Sequence, residues 1–322
     1  MYFNLHDNIN IRVLNKNKTI LCFPNLSYII KKKYFDVVFS PSPEASTVLF
    51  FSAKLVLYPG KIILRESNFR SYSSNKSIIR NVFTRFAYRN CNKVISLSKG
   101  VKNDLINRYK IKSDKISVIY NPIDINWVKK EIKKTNELSP QIRNKMKNDF
   151  HIIAVGRLVY QKGFDLLIKA MNRLKDKNIY LTIIGTGEDE LKLNKMLNQY
   201  RLNDKIFING FNGNPYVNLF YSDLFVLPSR WEGFGHVIIE AMACQTPVIA
   251  FNCDCGPSEI IDDKIDGILC NPESINELSD AILELYKSDY KRKELVKNSS
   301  IKVLKFDQTK ISKNYLNVFL EK

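Results

Sequence analysis

The carboxy-terminal half of the chain alternates short apolar runs with amphipathic stretches. Residues 151–155 are an apolar run ending at Gly156, after which Phe164, Leu167, Ile168, Met171 and Leu174 recur at helical spacing. Residues 180–184 form the next strand, broken by Gly185-Thr-Gly187, and Leu193, Met196, Leu197 and Tyr200 mark the next helix. Residues 224–227, 247–250 and 267–270 supply later strands. Ser274, with Glu277 three positions on, reads as the N-cap of a helix through Ile275, Leu278, Ile282 and Leu285. This rhythm predicts a parallel, doubly wound sheet.

The amino-terminal half is less regular. Residues 36–39, 61–64, 94–97 and 116–119 are candidate strands, with helix-like stretches at 46–56 and 101–109, and a second α/β sheet is the economical reading. The Asn121-Pro122 turn and the Lys-rich segment 127–148, which contains Pro140, place the boundary. The expected division is a domain at 1–126, a linker at 127–148, a domain at 149–305, and a final helix at 306–322 that returns to the first domain.

A chain of 322 residues, 45% hydrophobic and 25% charged, holds about two cores and is neither disordered, collagen-like nor disulfide-stapled. Its net charge of +18 is uneven: residues 1–125 carry 21 Lys+Arg against 7 Asp+Glu, and residues 126–322 carry 29 against 25. A basic half calls for an anionic partner. Nucleic acid rests on charge alone, because no recognisable binding motif accompanies it. The six cysteines include no C-x-x-C pair, and Cys253 and Cys255 are too close for a structural zinc pair, so buried or half-buried thiols in a reducing compartment are expected. No signal-like run opens the chain, and the most apolar stretch, 45–58, includes Lys54 and falls short of a membrane span. The reading is a cytoplasmic protein.

Open α/β sheets bind ligands where strands lead into helices. The loop Gly156-Arg157-Leu158-Val159-Tyr160-Gln161-Lys162-Gly163 sets two fixed cations beside a helix start, which suits a diphosphate; a solvated basic loop is the alternative. Gly185-Thr-Gly187-Glu188 is explained by a tight turn alone. The segment 228–236, Pro-Ser-Arg-Trp-Glu-Gly-Phe-Gly-His, runs into a helix containing Glu240. Its two glycines let backbone N–H groups approach an anion, and Glu232 and Glu240, as pure acceptors, suit sugar hydroxyls.

Glu232-x7-Glu240 with Gly233-Phe-Gly235 resembles the motif of the family 4 nucleotide-sugar glycosyltransferases. So do Gly156-Arg157-Leu158-x3-Lys162-Gly163, Ile184-Gly185-x-Gly187-Glu188, Pro247-Val-Ile-Ala250 and Cys255-Gly256-Pro257-x-Glu259-Ile260. The likeness is clear over roughly residues 94–320 and weaker before. It implies the GT-B fold, two Rossmann-like parallel-sheet domains facing a cleft, and transfer with retention of configuration. It assigns Arg157 and Lys162 to the donor diphosphate, and Glu232, Phe234 and Gly235 to the transferring sugar. Glu240 falls to the ribose, and Gly156, Gly187, Glu188, Gly210, Phe211, Ser229 and Gly233 to the rest of the donor site. Arg65 and Glu66 stand where members carry cleft-facing polar residues on the acceptor side, commonly a His that is absent here. The implied co-substrate is a UDP- or GDP-linked sugar, with no cofactor and no metal. The implied acceptor is a glycan or a polyprenyl-diphosphate-linked sugar of bacterial surface polysaccharide synthesis.

Members usually open with a strand, a glycine-rich loop and a helix. This sequence starts beyond that unit, so a shortened N-terminal domain is expected. A non-catalytic nucleotide-sugar-binding protein is therefore the alternative function. Other polar residues weigh less: His236 is a phosphate contact or a surface residue, Trp231 a packing residue, and Asp262, Asp263 and Asp266 a solvated turn. Over residues 76–93, Ile78, Ile79, Val82, Phe83 and Phe86 form an apolar stripe, with Arg80, Arg85 and Arg89 on other faces. The stripe is either core-facing or rests on an anionic bilayer, which would make the protein peripheral on the inner face of the cell membrane.

Overall fold

The computed structural model describes residues 9–68, 78–144, 149–211 and 213–321. Both expected sheets are present. The first holds β1 (Val37–Ser40), β2 (Lys61–Glu66), β3 (Lys93–Ser96) and β4 (Ile116–Val118), all parallel and in sequential order. Ser42 and Ser98 cap the helices Pro43–Leu55 and Lys99–Tyr109, each accepting a backbone N–H into its hydroxyl, which stops the preceding strand and starts the helix. One face of this sheet is covered by the helices Phe23–Lys32, Pro43–Leu55, Ile78–Asn90 and Lys99–Tyr109 around Phe50, Leu64, Tyr88 and Leu105. The other face packs Ile63 and Ile95 against Ile311, Tyr315 and Phe319 of the last helix, Gln308–Leu320, so the chain ends on the domain where it began.

The second sheet holds β5 (Phe150–Val155), β6 (Ile179–Ile184), β7 (Ile206–Asn209), β8 (Leu224–Leu227), β9 (Val248–Phe251) and β10 (Ile268–Cys270). Its order is 10-9-8-5-6-7, wholly parallel. β5, β6, β8 and β9 are buried almost throughout, which is why they read as unbroken apolar runs. The order reverses between β5 and β8, paired through Ile152 with Leu224 and Ile153 with Phe225, so the loops after these two strands open onto a topological switch point. β7, absent from the sequence reading, is a half-buried edge strand of four residues.

The segment 127–148 is more than a tether. Asp124 caps the helix Ile125–Glu131, and Val128 and Ile142 are buried in the second domain's core beside Phe225, Ile239 and Leu219. Two chain passages cross between the domains side by side: Ile123 N–H donates to Phe306 O at 2.9 Å, and Gln308 N–H to Ile123 O at 3.0 Å. Glu259 adds a joint from the second domain. Its carboxylate accepts the N–H groups of Lys99 and Gly100 (2.7 and 2.9 Å), at the start of a first-domain helix, and the Tyr120 hydroxyl at 3.1 Å. Burial and the Glu259 charge push the Tyr120 phenol up to about 12, so it stays a donor.

Two sequence expectations are corrected, and of the two readings of the stripe at 76–93 the core-facing one is excluded. Asp266 is buried, not solvated: it accepts the Asp262 N–H at 2.8 Å and faces Lys302, whose ammonium also holds Asp262 at 2.6 Å. Glu66 does not face the cleft. β2 alternates, so Glu66 points to the helical side with Leu64, where it is fully buried and accepts the Tyr88 hydroxyl at 3.0 Å and the N–H groups of Ser67 and Asn68. The stripe on the helix Ile78–Asn90 does not face the core: Ile79, Val82, Phe83 and Phe86 are all exposed. The cysteines are as expected, five buried and Cys22 half-buried, all free.

Candidate active site

The loops after β5 and β8 lock onto each other. Gly163 has φ +65°, and a Cβ there would stand 2.0 Å from the Pro228 carbonyl, so a tight left-handed turn and bare backbone are both required. Arg230 spans the same two loops from a nearly buried position. Its guanidinium grips Asp165 through two parallel hydrogen bonds of 2.8 Å, bonds the Tyr160 carbonyl at 2.7 Å and lies 3.9 Å from the centre of the Tyr160 ring. Burial pushes the Asp165 carboxyl up, but the hydrogen bonds and charge of Arg230 outweigh it and hold the group below its ordinary value. Arg230 was not singled out in the sequence, because its partner lies 65 residues away with no local signature.

This frame fixes a charged constellation. Glu232 is buried, and its Oε1 accepts the Lys162 ammonium at 2.6 Å and the Ser229 hydroxyl at 2.7 Å. Ser229 is itself buried behind Glu232, so it orients that carboxylate and does not front the cleft. Arg157 is exposed. Gly235, at φ +85°, opens the helix His236–Ala243, which carries Glu240. Glu240 Oε1 accepts the Tyr216 hydroxyl at 3.0 Å and lies 3.6 Å from His236 Nε2. Burial and the Glu240 charge raise the Tyr216 phenol well above its ordinary value, which keeps it protonated and donating.

Two cavities meet here. One, of about 440 Å³, lies between the domains and gathers Arg157, Lys162, Glu232, Gly235 and Glu240, with Ser67, Asn68 and Asn121 closing it from the first domain. The other, of about 460 Å³, runs into the second domain between Trp127, Tyr216, Phe211 and Gly185. Val155, Gly156, Arg157 and Glu240 line both and form their junction. The domains approach closely at the first: a Cβ on Gly233 would stand 2.1 Å from the Ser67 carbonyl. Phe234 contributes to the lining, though its ring is buried in a stack on Tyr120 at 5.4 Å.

Not every expected residue joins this arrangement. Gly187 and Glu188 are exposed beyond it, and Gly187 serves the backbone, since a Cβ there would meet the Leu158 carbonyl at 2.3 Å. Gly210 is likewise exposed and lines neither cavity. Arg65 reaches the cleft only indirectly, through hydrogen bonds to Asn121 and the Pro41 carbonyl. Trp231 pairs with Tyr160 at 6.1 Å. Trp127, Tyr216 and Asn121 complete the cavities without having been anticipated. Among the described residues no group of three or more His, Cys, Asp or Glu side chains is placed to hold a metal ion.

Residues 135–301 match the family model for glycosyl transferases group 1, and residues 6–127 match that for glycosyltransferase family 4. The N-acetylgalactosamine-N,N'-diacetylbacillosaminyl-diphospho-undecaprenol 4-alpha-N-acetylgalactosaminyltransferase of Campylobacter jejuni is 27% identical over 76% of this chain and 64% of its own. The poly(ribitol-phosphate) alpha-N-acetylglucosaminyltransferase of Staphylococcus aureus is 28% identical over 94% of this chain and 59% of its own. The chain thus spans less than two thirds of either relative's length. In fold it is similar to Anabaena Alr3699/HepE, solved in complex with UDP and glucose, with a TM-score of 0.82 and 20% identity over 93% of this chain and 82% of that one. With its two facing parallel-sheet domains and the switch-point constellation above, the chain belongs to the family 4 glycosyltransferases of the GT-B fold.

Proposed function

We propose that the paired cavities bind a UDP-linked hexose or N-acetylhexosamine, and that the sugar passes with retention to a glycan or polyprenyl-diphosphate-linked acceptor. The observation that carries this reading is the junction. Arg157 and Lys162 flank the same hollow as Glu232 and Glu240, at the start of a helix whose first residues, His236 and Val237, line it. In this reading the nucleoside enters the cavity between Trp127, Phe211 and Tyr216, and Glu240 takes the ribose hydroxyls. The diphosphate lies along Arg157, Lys162 and the helix start, and Glu232 meets the transferring sugar. Relatives named for alpha-linked products, one with an undecaprenol-linked substrate, and a fold neighbour solved with UDP support the donor and acceptor classes.

The chemistry asked of these residues is electrostatic. As the bond from the anomeric carbon to the diphosphate oxygen breaks, charge builds on the leaving group, and preorganised cations stabilise it most at that moment. The acceptor hydroxyl forms the new bond from the same face, which gives retention, and its proton leaves on the departing diphosphate. Lys162, already held by Glu232, needs little reorganisation for this role. Two cations and a helix start supply the charge that a metal supplies elsewhere, so we expect transfer to be indifferent to chelator.

A thermal-shift screen against UDP-, GDP- and ADP-sugars, repeated with Glu240→Ala and Arg157→Ala, tests the reading. A UDP-sugar should raise the unfolding midpoint of the parent and do so far less in both variants, whose own midpoints stay near the parent's. An equal shift in all three proteins would remove the site assignment.

A further inference from the structure

The helix Ile78–Asn90 presents its apolar stripe to the outside. Ile79 is 71% exposed, Val82 59%, Phe83 49% and Phe86 53%, and their spacing puts them on one face over successive turns. The rings are fixed from beneath: Phe51 stacks on Phe86 at 6.0 Å and meets Phe83 edge-on at 5.4 Å. Beside the stripe opens a cavity of about 670 Å³ walled by Ile20, Phe23, Val48, Phe51 and Phe83. A contiguous apolar patch with an apolar recess marks an interaction site, unlike scattered exposed residues.

The charges around it are mostly positive, and Glu44, the carboxylate among the residues lining the recess, is paired with Arg80. Arg85 and Arg89, both exposed, line a groove with Val82 and Phe86 on one flank of the stripe, and Arg80 stands on the other, 3.7 Å from Glu44. The helix Ile78–Asn90 contains no acidic residue. The helix Phe23–Lys32, whose first residue walls the recess, carries Lys31 and Lys32 in its last turn; Leu21 before it and Tyr28 on it are exposed. A second copy of the chain would set one basic domain against another, which like-charge repulsion opposes. No helix among the described residues is long and apolar enough to cross a membrane, so contact with lipid here would be interfacial.

We infer that this face docks on an anionic lipid bilayer. The stripe enters the interface, the recess receives an acyl-chain segment, and Arg80, Arg85 and Arg89 lie at the level of the lipid phosphates. The inference stands on this surface whether or not UDP is the donor.

The test is co-flotation of the full chain with vesicles of equal parts phosphatidylcholine and phosphatidylglycerol, and with phosphatidylcholine alone. It is run at low and high salt for the parent, Arg85→Gln/Arg89→Gln and Val82→Ser/Phe83→Ser. All these side chains are exposed, and an unchanged unfolding midpoint shows that the variants fold. The parent should float with the anionic vesicles only and release at high salt, and the arginine pair should bind about twentyfold more weakly. The apolar pair should lose binding to a similar degree. Parent and both variants floating alike, or no flotation at all, would overturn the proposal. Self-association of the parent that the apolar substitutions abolish, without vesicle binding, would make the face a protein interface and overturn it equally.

Discussion

The two domains share one plan, a parallel sheet between helices, and expose opposite surfaces. In the second, the loops at the switch point are cross-braced: Gly163 lies under the Pro228 carbonyl, Arg230 ties Asp165 to Tyr160, and Ser229 and Lys162 converge on Glu232. In the first, polar bracing gives way to an open apolar stripe among arginines. The difference follows what each must meet. Stabilising a charge that exists only briefly requires dipoles held in advance, and rigidity is how a fold holds them. A large, soft partner such as a bilayer asks only for apolar area and charge of the right sign.

The largest expected effect separates bracing from chemistry. Arg157 is exposed and braces no other of the described residues, so Arg157→Ala should lower sugar transfer by about 10²–10³-fold, measured with a UDP-sugar, and leave the unfolding midpoint unchanged. Arg230→Met should act on stability first. It leaves Asp165 largely buried and unpaired, and denaturant unfolding should show a loss of about 3 kcal/mol. That pair also has a pH signature. The folded Asp165 carboxyl sits below its unfolded value, so its stabilisation is complete above the ordinary carboxylate range and disappears as pH falls through the lowered value. Stability measured down an acid series should therefore fall less steeply in Asp165→Asn than in the parent.

A smaller effect is expected where the domains join. Glu259→Gln keeps the shape but removes the charge that receives two helix-start N–H groups and Tyr120, a loss of about 1–2 kcal/mol. Small-angle scattering should report a larger radius of gyration for this variant, and an unchanged radius would show that the other crossings suffice. The smallest effect is chemical. Burial raises the thiols of Cys91, Cys253 and Cys270 to about 12, and it raises those of Cys244 and Cys255 well above the ordinary thiol value too. Titration with a thiol reagent at neutral pH should find one fast group, Cys22, before unfolding releases the rest.

Much of this was legible in the chain because the second sheet is buried on both sides. Three of its strands, β5, β6 and β8, are apolar runs closed by glycine or proline, and its site residues sit on the loops those runs define. What escaped was non-local or two-valued. β7 is a short edge strand, half in water, and its four residues carry too little pattern. The partners of Arg230 and Glu259 lie 65 and about 160 residues away, where spacing says nothing. Glu66 follows an apolar run as a cleft residue would, but the pleat turns it inward to Tyr88. The stripe at 79–86 has helical periodicity whichever way it faces, so only the packed structure decides that it faces out.

The central claim is that one nucleotide sugar lies across the junction of the two cavities. A crystal structure of the protein soaked with UDP tests it most directly. The diphosphate should lie within hydrogen-bonding distance of Arg157 and Lys162, the ribose hydroxyls on Glu240 in place of Tyr216, and the uracil between Trp127 and Phe211. Density for UDP at any other surface, with Glu240 still holding Tyr216, would contradict it.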